Sequence, residues 1–413
     1  SICSLTVVKS EETVPRILEN VERSPRPNTD LYEIRMSLSS AWLDSVDAWF
    51  MKTIEAGKNA LIQLGRTGVN VMGHIVNFIP TPAAVFRAAK DVFLALPQSV
   101  IVYAIDAYCS VASHVHAFQP FPLHKEKMHI EFVAGDLTTK VAMDRSETIC
   151  EHPKFNKDRE TVLVVTGWLS NINRTNDALE GLHNAYKTRD VNFMFFDTAQ
   201  YLDTLYVWSA FNTKAAGQLL GESLVNLTKC VDPEKLHLIG HSLGAHISGY
   251  AARTFNCLTE KLVSHVTGLD PAHPCFREGE EINGLRRGDA AFVDIIHSNC
   301  GVLGRRSPLG DVDFYPNGRH PLQPGCPTII CSHSRSWEFY AETVIPGNEH
   351  SFMSTRCDSY SALKAGYCDN NGRLVPMGYA VPKTAKGDYF LETAADKPYG
   401  MTNSYQEKPE KTS

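Results

Sequence analysis

The pentapeptide Gly240-His241-Ser242-Leu243-Gly244 restricts this 413-residue chain more than any other segment. It follows the apolar run Leu236-His237-Leu238-Ile239 and precedes Ala245-His246-Ile247-Ser248-Gly249-Tyr250-Ala251-Ala252, which reads as a helix start. A serine in a G-x-S-x-G turn between strand and helix takes a strained backbone, and side chains two residues before and after it would clash. Glycine fits both places, here Gly240 and Gly244. The turn lifts the Ser242 hydroxyl above a sheet edge, and the following helix aims its N-terminal N–H groups at the same point. Taken alone the string is common and a chance turn is the bland reading. In its strand and helix context it predicts a nucleophile elbow.

The chain around it supplies the sheet such an elbow needs. Thr161-Val162-Leu163-Val164-Val165 and Val191-Asn192-Phe193-Met194-Phe195-Phe196 are short, apolar and bounded by turn residues, as buried parallel strands are. Leu236 to Ile239, Leu262 to Gly268 and Phe292 to Ile296 repeat the pattern. The stretches Asp177 to Lys187 and Thr213 to Lys229 are long enough for crossover helices. A βαβ series of this kind predicts an α/β fold with a mostly parallel sheet covered on both faces.

Residues 1–120 have a different texture. Trp42, Val46, Trp49, Phe50 and Ile54 recur at helix spacing, with Leu61 and Leu64 beyond. Pro80 and Pro82 punctuate the region, and Gln119-Pro120-Phe121-Pro122 ends it as an extended linker. We expect a helical N-terminal extension over 1–120, an α/β domain over 121–401 and a polar, frayed tail over 402–413. The extension reads as an accessory region packed on the main body. A lipid-docking amphipathic surface is the alternative, weakened by the lack of a Lys-rich polar face.

The net charge of −6 offers no basic face for phosphates, which argues against nucleic acid as a partner. Arg286-Arg287 and Arg305-Arg306 read as ordinary surface. No apolar run is long enough to span a bilayer; Val92 to Ile105 is broken by Pro97. Eleven cysteines are many for a cytosolic enzyme. Cys326 and Cys331 could close one short loop and Cys357 and Cys368 another, while the odd total leaves one thiol over. Asn173 and Asn226 head N-x-[ST] sequons. No signal-type apolar stretch opens the chain at Ser1, and the expectation is a secreted protein whose leader has been removed.

A serine hydroxyl is a weak nucleophile and needs a base, itself oriented by a carboxylate. On folds with this elbow the partners follow in the order Ser, acid, His. Asp270, in Gly268-Leu269-Asp270-Pro271-Ala272, falls at the C-terminal end of the next strand, where such sheets carry their chemistry. Asp289, Asp294, Asp311 and Asp313 are rivals. The base is one of His273, His297, His320, His333 and His350. Of these, His333 follows the Cys326–Cys331 loop and precedes an apolar helix with Trp337 and Phe339. The oxyanion needs two backbone donors, for which Leu243 N–H and Trp168 N–H are the candidates.

Four segments in order carry a resemblance over about residues 125–400: Gly240 to His246, Gly268 to Ala272, Phe292-Val293-Asp294-Ile295-Ile296-His297 and Asp313-Phe314-Tyr315-Pro316-Asn317-Gly318. They resemble the pancreatic (neutral) lipase family, in its branch of insect secreted lipases and phospholipase A1-like enzymes. The resemblance implies an α/β-hydrolase fold, activity on acyl esters of lipids at a lipid–water interface, no required cofactor, and a Ser242, Asp270, His333 triad. Three departures from the family pattern matter. Only four residues separate Cys326 from Cys331, where triglyceride lipases have a much longer lid, and this resembles the phospholipase A1 members. The length beyond the matched segments leads us to expect no counterpart of the family's C-terminal β-sandwich domain. Its calcium loop is partly matched: Asp289 is present, but Arg286 stands where a second carboxylate is expected, so charge argues against structural Ca²⁺. Gly310 to Gly318 and Pro346-Gly347-Asn348-Glu349 also resemble the yolk proteins of higher flies, lipase relatives that have lost the nucleophile. Storage is therefore the alternative function.

Overall fold

The computed structural model describes Cys109 and residues 123–135, 137–168, 177–198, 201–202, 206–277, 282–368 and 373–401. The expected helical extension over 1–120, Cys109 apart, and the tail over 402–413 lie outside these residues, as does Asn173.

Among the described residues, eleven strands form one sheet. In chain order they are β1 (His129–Ala134), β2 (Leu137–Ala142), β3 (Glu160–Val165), β4 (Val191–Asp197), β5 (Leu236–His241), β6 (His265–Leu269), β7 (Phe292–Ile296), β8 (Val312–Pro316), β9 (Met353–Arg356), β10 (Leu374–Pro376) and β11 (Gly387–Leu391). The spatial order is β10-β9-β11-β8-β7-β6-β5-β3-β4-β1-β2. From β4 through β11 the pairings are parallel, and β1–β2 and β9–β10 flank them as antiparallel edges. The expected strands are present, with one shortened: β6 begins at His265, because Leu262 is exposed and lies before the sheet.

Five helices accompany the sheet among the described residues: α1 (Asp177–Tyr186), α2 (Tyr206–Leu227), α3 (Leu243–Thr259), α4 (Ile329–Val344) and α5 (Tyr360–Ala365). Helix α2 starts seven residues before the expected Thr213. Alternation along β3 divides the core between two faces. Leu163 and Val165 join Leu238, Leu243, Leu220 and Ala251 beneath α2 and α3, while Val162 and Val164 join Ile239, Leu182 and Phe339 beneath α1 and α4. This two-sided burial is why the central strands read as continuous apolar runs. Helices α2 and α3 cross closely at Gly217, where a Cβ would lie 2.4 Å from Tyr250 Cβ.

Four disulfides tie the described residues. Cys326–Cys331 and Cys357–Cys368 are the pairs legible from short spacing. Cys109–Cys275 and Cys150–Cys230 join residues 166 and 80 positions apart. Cys300 is a buried free thiol among the described residues. Among the described residues, no helix is long and apolar enough to cross a membrane.

Candidate active site

Ser242 sits between β5 and α3 with φ +57° and ψ −122°, the strained turn expected of an elbow. Both flanking glycines are required by contact. A Cβ on Gly240 would lie 2.4 Å from Ala245 Cα, and one on Gly244 would lie 2.0 Å from the Val165 carbonyl oxygen. Gly167 meets the elbow from β3, since a Cβ there would fall 2.6 Å from Ser242 Cβ and 3.1 Å from its Oγ. Ser242 N–H donates to Leu269 O (3.0 Å), and Ser242 O accepts from Ala272 N–H (3.3 Å), so the elbow is tied to both sides of Asp270. Leu243, wholly buried, opens α3. Trp168 is half-buried and packs edge-on against Tyr206, with ring centroids 5.4 Å apart.

Asp270 follows β6 directly, has a positive φ of 44° and is fully buried. Its Oδ1 accepts the N–H groups of Ser298 (2.8 Å) and Asn299 (3.0 Å), the two residues after His297 at the end of β7. Its Oδ2 lies 2.5 Å from His333 Nδ1. Gly304 closes the other side, for a Cβ there would come 2.2 Å from Asp270 Oδ1. Both acceptor atoms of the carboxylate are therefore engaged, and its position is set by backbone from two neighbouring loops.

His333 belongs to the start of α4. Thr328 caps that helix, its Oγ1 accepting from Cys331 N–H at 3.1 Å, and the Cys326–Cys331 bridge closes the loop just before it. The His333 carbonyl accepts from Ser336 Oγ (3.0 Å) and Ser298 Oγ (3.4 Å) and lies 3.3 Å from His241 Nε2. The His241 ring rests 4.7 Å from the His333 ring. Burial, with repulsion from His333 adding to it, pushes the His241 imidazole down to about 3, so it stays neutral beside His333 at physiological pH. Among the described residues no hydrogen bond joins Ser242 Oγ to the His333 ring. Such contacts are commonly long in unliganded enzymes and tighten with substrate.

The rival residues are committed elsewhere. Asp294 binds His265 (2.7 Å) and Thr267 (2.6 Å). Asp313 binds His297 (2.8 Å) and two backbone N–H groups of residues 309 and 310. Asp289 is held by Arg253, and Asp311 accepts Val293 N–H at 3.1 Å. Asn226 lies in the last turn of α2, half-buried, donating from Nδ2 to Asp144 O at 3.4 Å. No role for Gly167, His241 or Gly304 follows from the sequence alone. Gly167 precedes the expected oxyanion donor Trp168, and His241 lies inside the elbow pentapeptide. Gly304 had no local signal, because its role exists only once two loops meet.

Residues 115–399 match the family model described as Lipase. The chain is 34% identical over 216 residues to Vitellogenin-3 of Drosophila melanogaster, covering 52% of this chain and 51% of that protein. It is 30% identical over 249 residues to pancreatic triacylglycerol lipase of Sus scrofa, covering 52% of each. With pancreatic lipase-related protein 2 of Cavia porcellus it shares 30% identity over 270 residues, 61% of this chain and 56% of that one. The chain thus spans about half the length of the curated relatives it matches. The elbow, the parallel sheet and a match running from before β1 to beyond β11 have one reading: the chain belongs to the lipase family, with the fold of an α/β hydrolase.

Proposed function

We propose that this protein is a secreted serine hydrolase that cleaves fatty-acyl esters of lipids. The observation that carries the proposal is the Asp270–His333 hydrogen bond placed at the strand ends beside the strained Ser242 elbow. Ser242 Oγ attacks the acyl carbonyl while His333 takes its proton through Nε2, and Asp270 holds the resulting imidazolium. Leu243 N–H and Trp168 N–H receive the oxyanion, each such donor being worth about 3 kcal/mol of barrier. His333 returns the proton to the leaving alcohol. Water, deprotonated by the same imidazole, then releases the fatty acid and restores Ser242. The four disulfides support an extracellular setting.

The short loop between Cys326 and Cys331 favours phospholipid over triglyceride, because it offers little apolar cover for a fully acylated substrate. Fatty-acid release from phosphatidylcholine and from a triglyceride, measured side by side, checks this preference; faster triglyceride hydrolysis would reverse it. The similarity to vitellogenins favours a second reading, a storage or lipid-carrying protein with little turnover. Covalent labelling separates the two. An organophosphate is expected to add to Ser242, detected on its peptide by mass spectrometry, whereas an unlabelled, folded protein would favour storage.

A further inference from the structure

Arg253, on the outward half of α3, reaches into the loop of residues 282–289 that packs beside it. Its guanidinium makes four hydrogen bonds there: Nε to Asp289 Oδ1 (2.9 Å), Nη1 to Asn283 Oδ1 (3.2 Å), and Nη2 to Gly284 O (2.8 Å) and Asp289 Oδ2 (2.9 Å). Asp289 is 2% exposed, and its Oδ2 also accepts Arg286 N–H at 3.0 Å. The Arg286 Nε lies 3.6 Å from Asp289 Oδ1, adding a second positive charge. Tyr250 completes the surround, its ring 5.0 Å from the guanidinium carbon and its hydroxyl accepting Gly284 N–H at 3.1 Å.

This loop is where the family pattern has its partly matched calcium loop, so the fit of a calcium ion can be tested on the donors. A calcium ion gathers six to eight oxygens at about 2.3–2.6 Å around one point. Here both oxygens of the buried carboxylate, a main-chain carbonyl and an amide oxygen are already shared along the edge of a planar cation. Two arginines also face the carboxylate, leaving no net negative charge for a dication. The donor set does not fit the metal.

We propose that the Arg253 guanidinium is a tethered cation that takes over the structural work of a divalent ion in this loop, making the fold independent of metal. What the clamp holds is close to the elbow. Leu285 N–H donates to His246 Nδ1 (3.0 Å), and His246 Nε2 bonds Ala272 O (2.7 Å), one residue beyond the Asp270-Pro271 turn. A Cβ on Gly284 would fall 2.3 Å from His246 Nδ1, so the loop and the first turns of α3 are in direct contact.

The test is thermal unfolding of the full chain, which reads the clamp without reference to ester hydrolysis. The wild-type midpoint is expected to be the same in a metal chelator and in millimolar calcium chloride. Arg253→Ala is expected to lower it by roughly 5 °C or more, since the buried carboxylate loses its two-pronged partner and, of the two arginines, keeps only the longer Arg286 contact. Methylguanidinium at millimolar concentration is expected to restore part of that loss, and methylammonium to restore none. Arg253→Lys keeps the charge without the fork, is expected to fall between the two, and carries the test if the alanine variant does not fold. A wild-type midpoint that rises with calcium or falls with chelator would overturn the proposal, as would Arg253→Lys unfolding with the wild type.

Discussion

Of the His–Asp pairs on this sheet, β6 contributes to two. At its first residue, His265 Nε2 meets Asp294 Oδ1 at 2.7 Å; just past its last, Asp270 Oδ2 meets His333 Nδ1 at 2.5 Å. Both aspartates are fully buried, and the two histidine side chains are 11% and 12% exposed, so burial does not tell the pairs apart. Their surroundings do. His265 stacks face to face on His237, centroids 3.9 Å apart, and Asp294 Oδ2 has no hydrogen-bond partner among the described residues. Burial pushes the Asp294 carboxyl up to about 7 and the His265 imidazole down to about 3, so this pair is close to a neutral, uncharged contact. Asp270 has both oxygens engaged by fixed donors, and its histidine lies beside a strained serine turn. A carboxylate and an imidazole in contact are therefore common currency inside a sheet. The strand ends, where an elbow and loops converge, make one of them a candidate for chemistry.

Parallel substitutions should separate the pairs. Asp270→Asn is expected to lower kcat for ester hydrolysis by about 10⁴, because the asparagine fixes the wrong tautomer of His333. Equal activity in that variant would place the two pairs on the same footing. Gly304→Ala drives a methyl into the Asp270 carboxylate and is expected to lower kcat by about 10², the cost typical of a displacement near 1 Å. His241→Phe removes the contact to the His333 carbonyl while keeping a ring against it. A loss of about fivefold is expected, in kcat more than KM.

The smallest effect on activity is expected from Asp294→Asn, within about twofold of wild type, but it should alter the pH dependence of stability. The Asp294 carboxyl is raised from 3.8 to about 7 on folding, so it binds a proton more readily folded than unfolded. Its contribution is fully present below the unfolded value and is lost as pH rises through 7. The variant should therefore gain on the wild type above pH 7 and lose that advantage between pH 7 and pH 4, in unfolding midpoints measured across the range. A difference independent of pH would show that Asp294 is ionised throughout.

The sequence carried the parts of this molecule whose physics is local. The elbow glycines, the apolar runs of β3 to β7 and the cysteine pairs five and eleven positions apart are set by backbone sterics, two-sided burial and short loops. The resemblance lifted His333 above four other histidines, something spacing alone could not do. The flanking strands β1, β2 and β8 to β11 are not legible as strands in the sequence, since short or half-exposed segments such as Leu137–Ala142 lack a clear apolar period. The Cys109–Cys275 and Cys150–Cys230 bridges, the Gly304 contact and the Arg253 clamp each join residues far apart in the chain. Nothing in either local segment announces its partner before the chain folds.

The decisive measurement is turnover of a short-chain acyl ester by wild type and by Ser242→Ala, each shown to have the same unfolding midpoint. The account expects measurable hydrolysis by the wild type and a loss of at least about 10⁴-fold in the variant. Comparable turnover from both, or none from a correctly folded wild type, would contradict it.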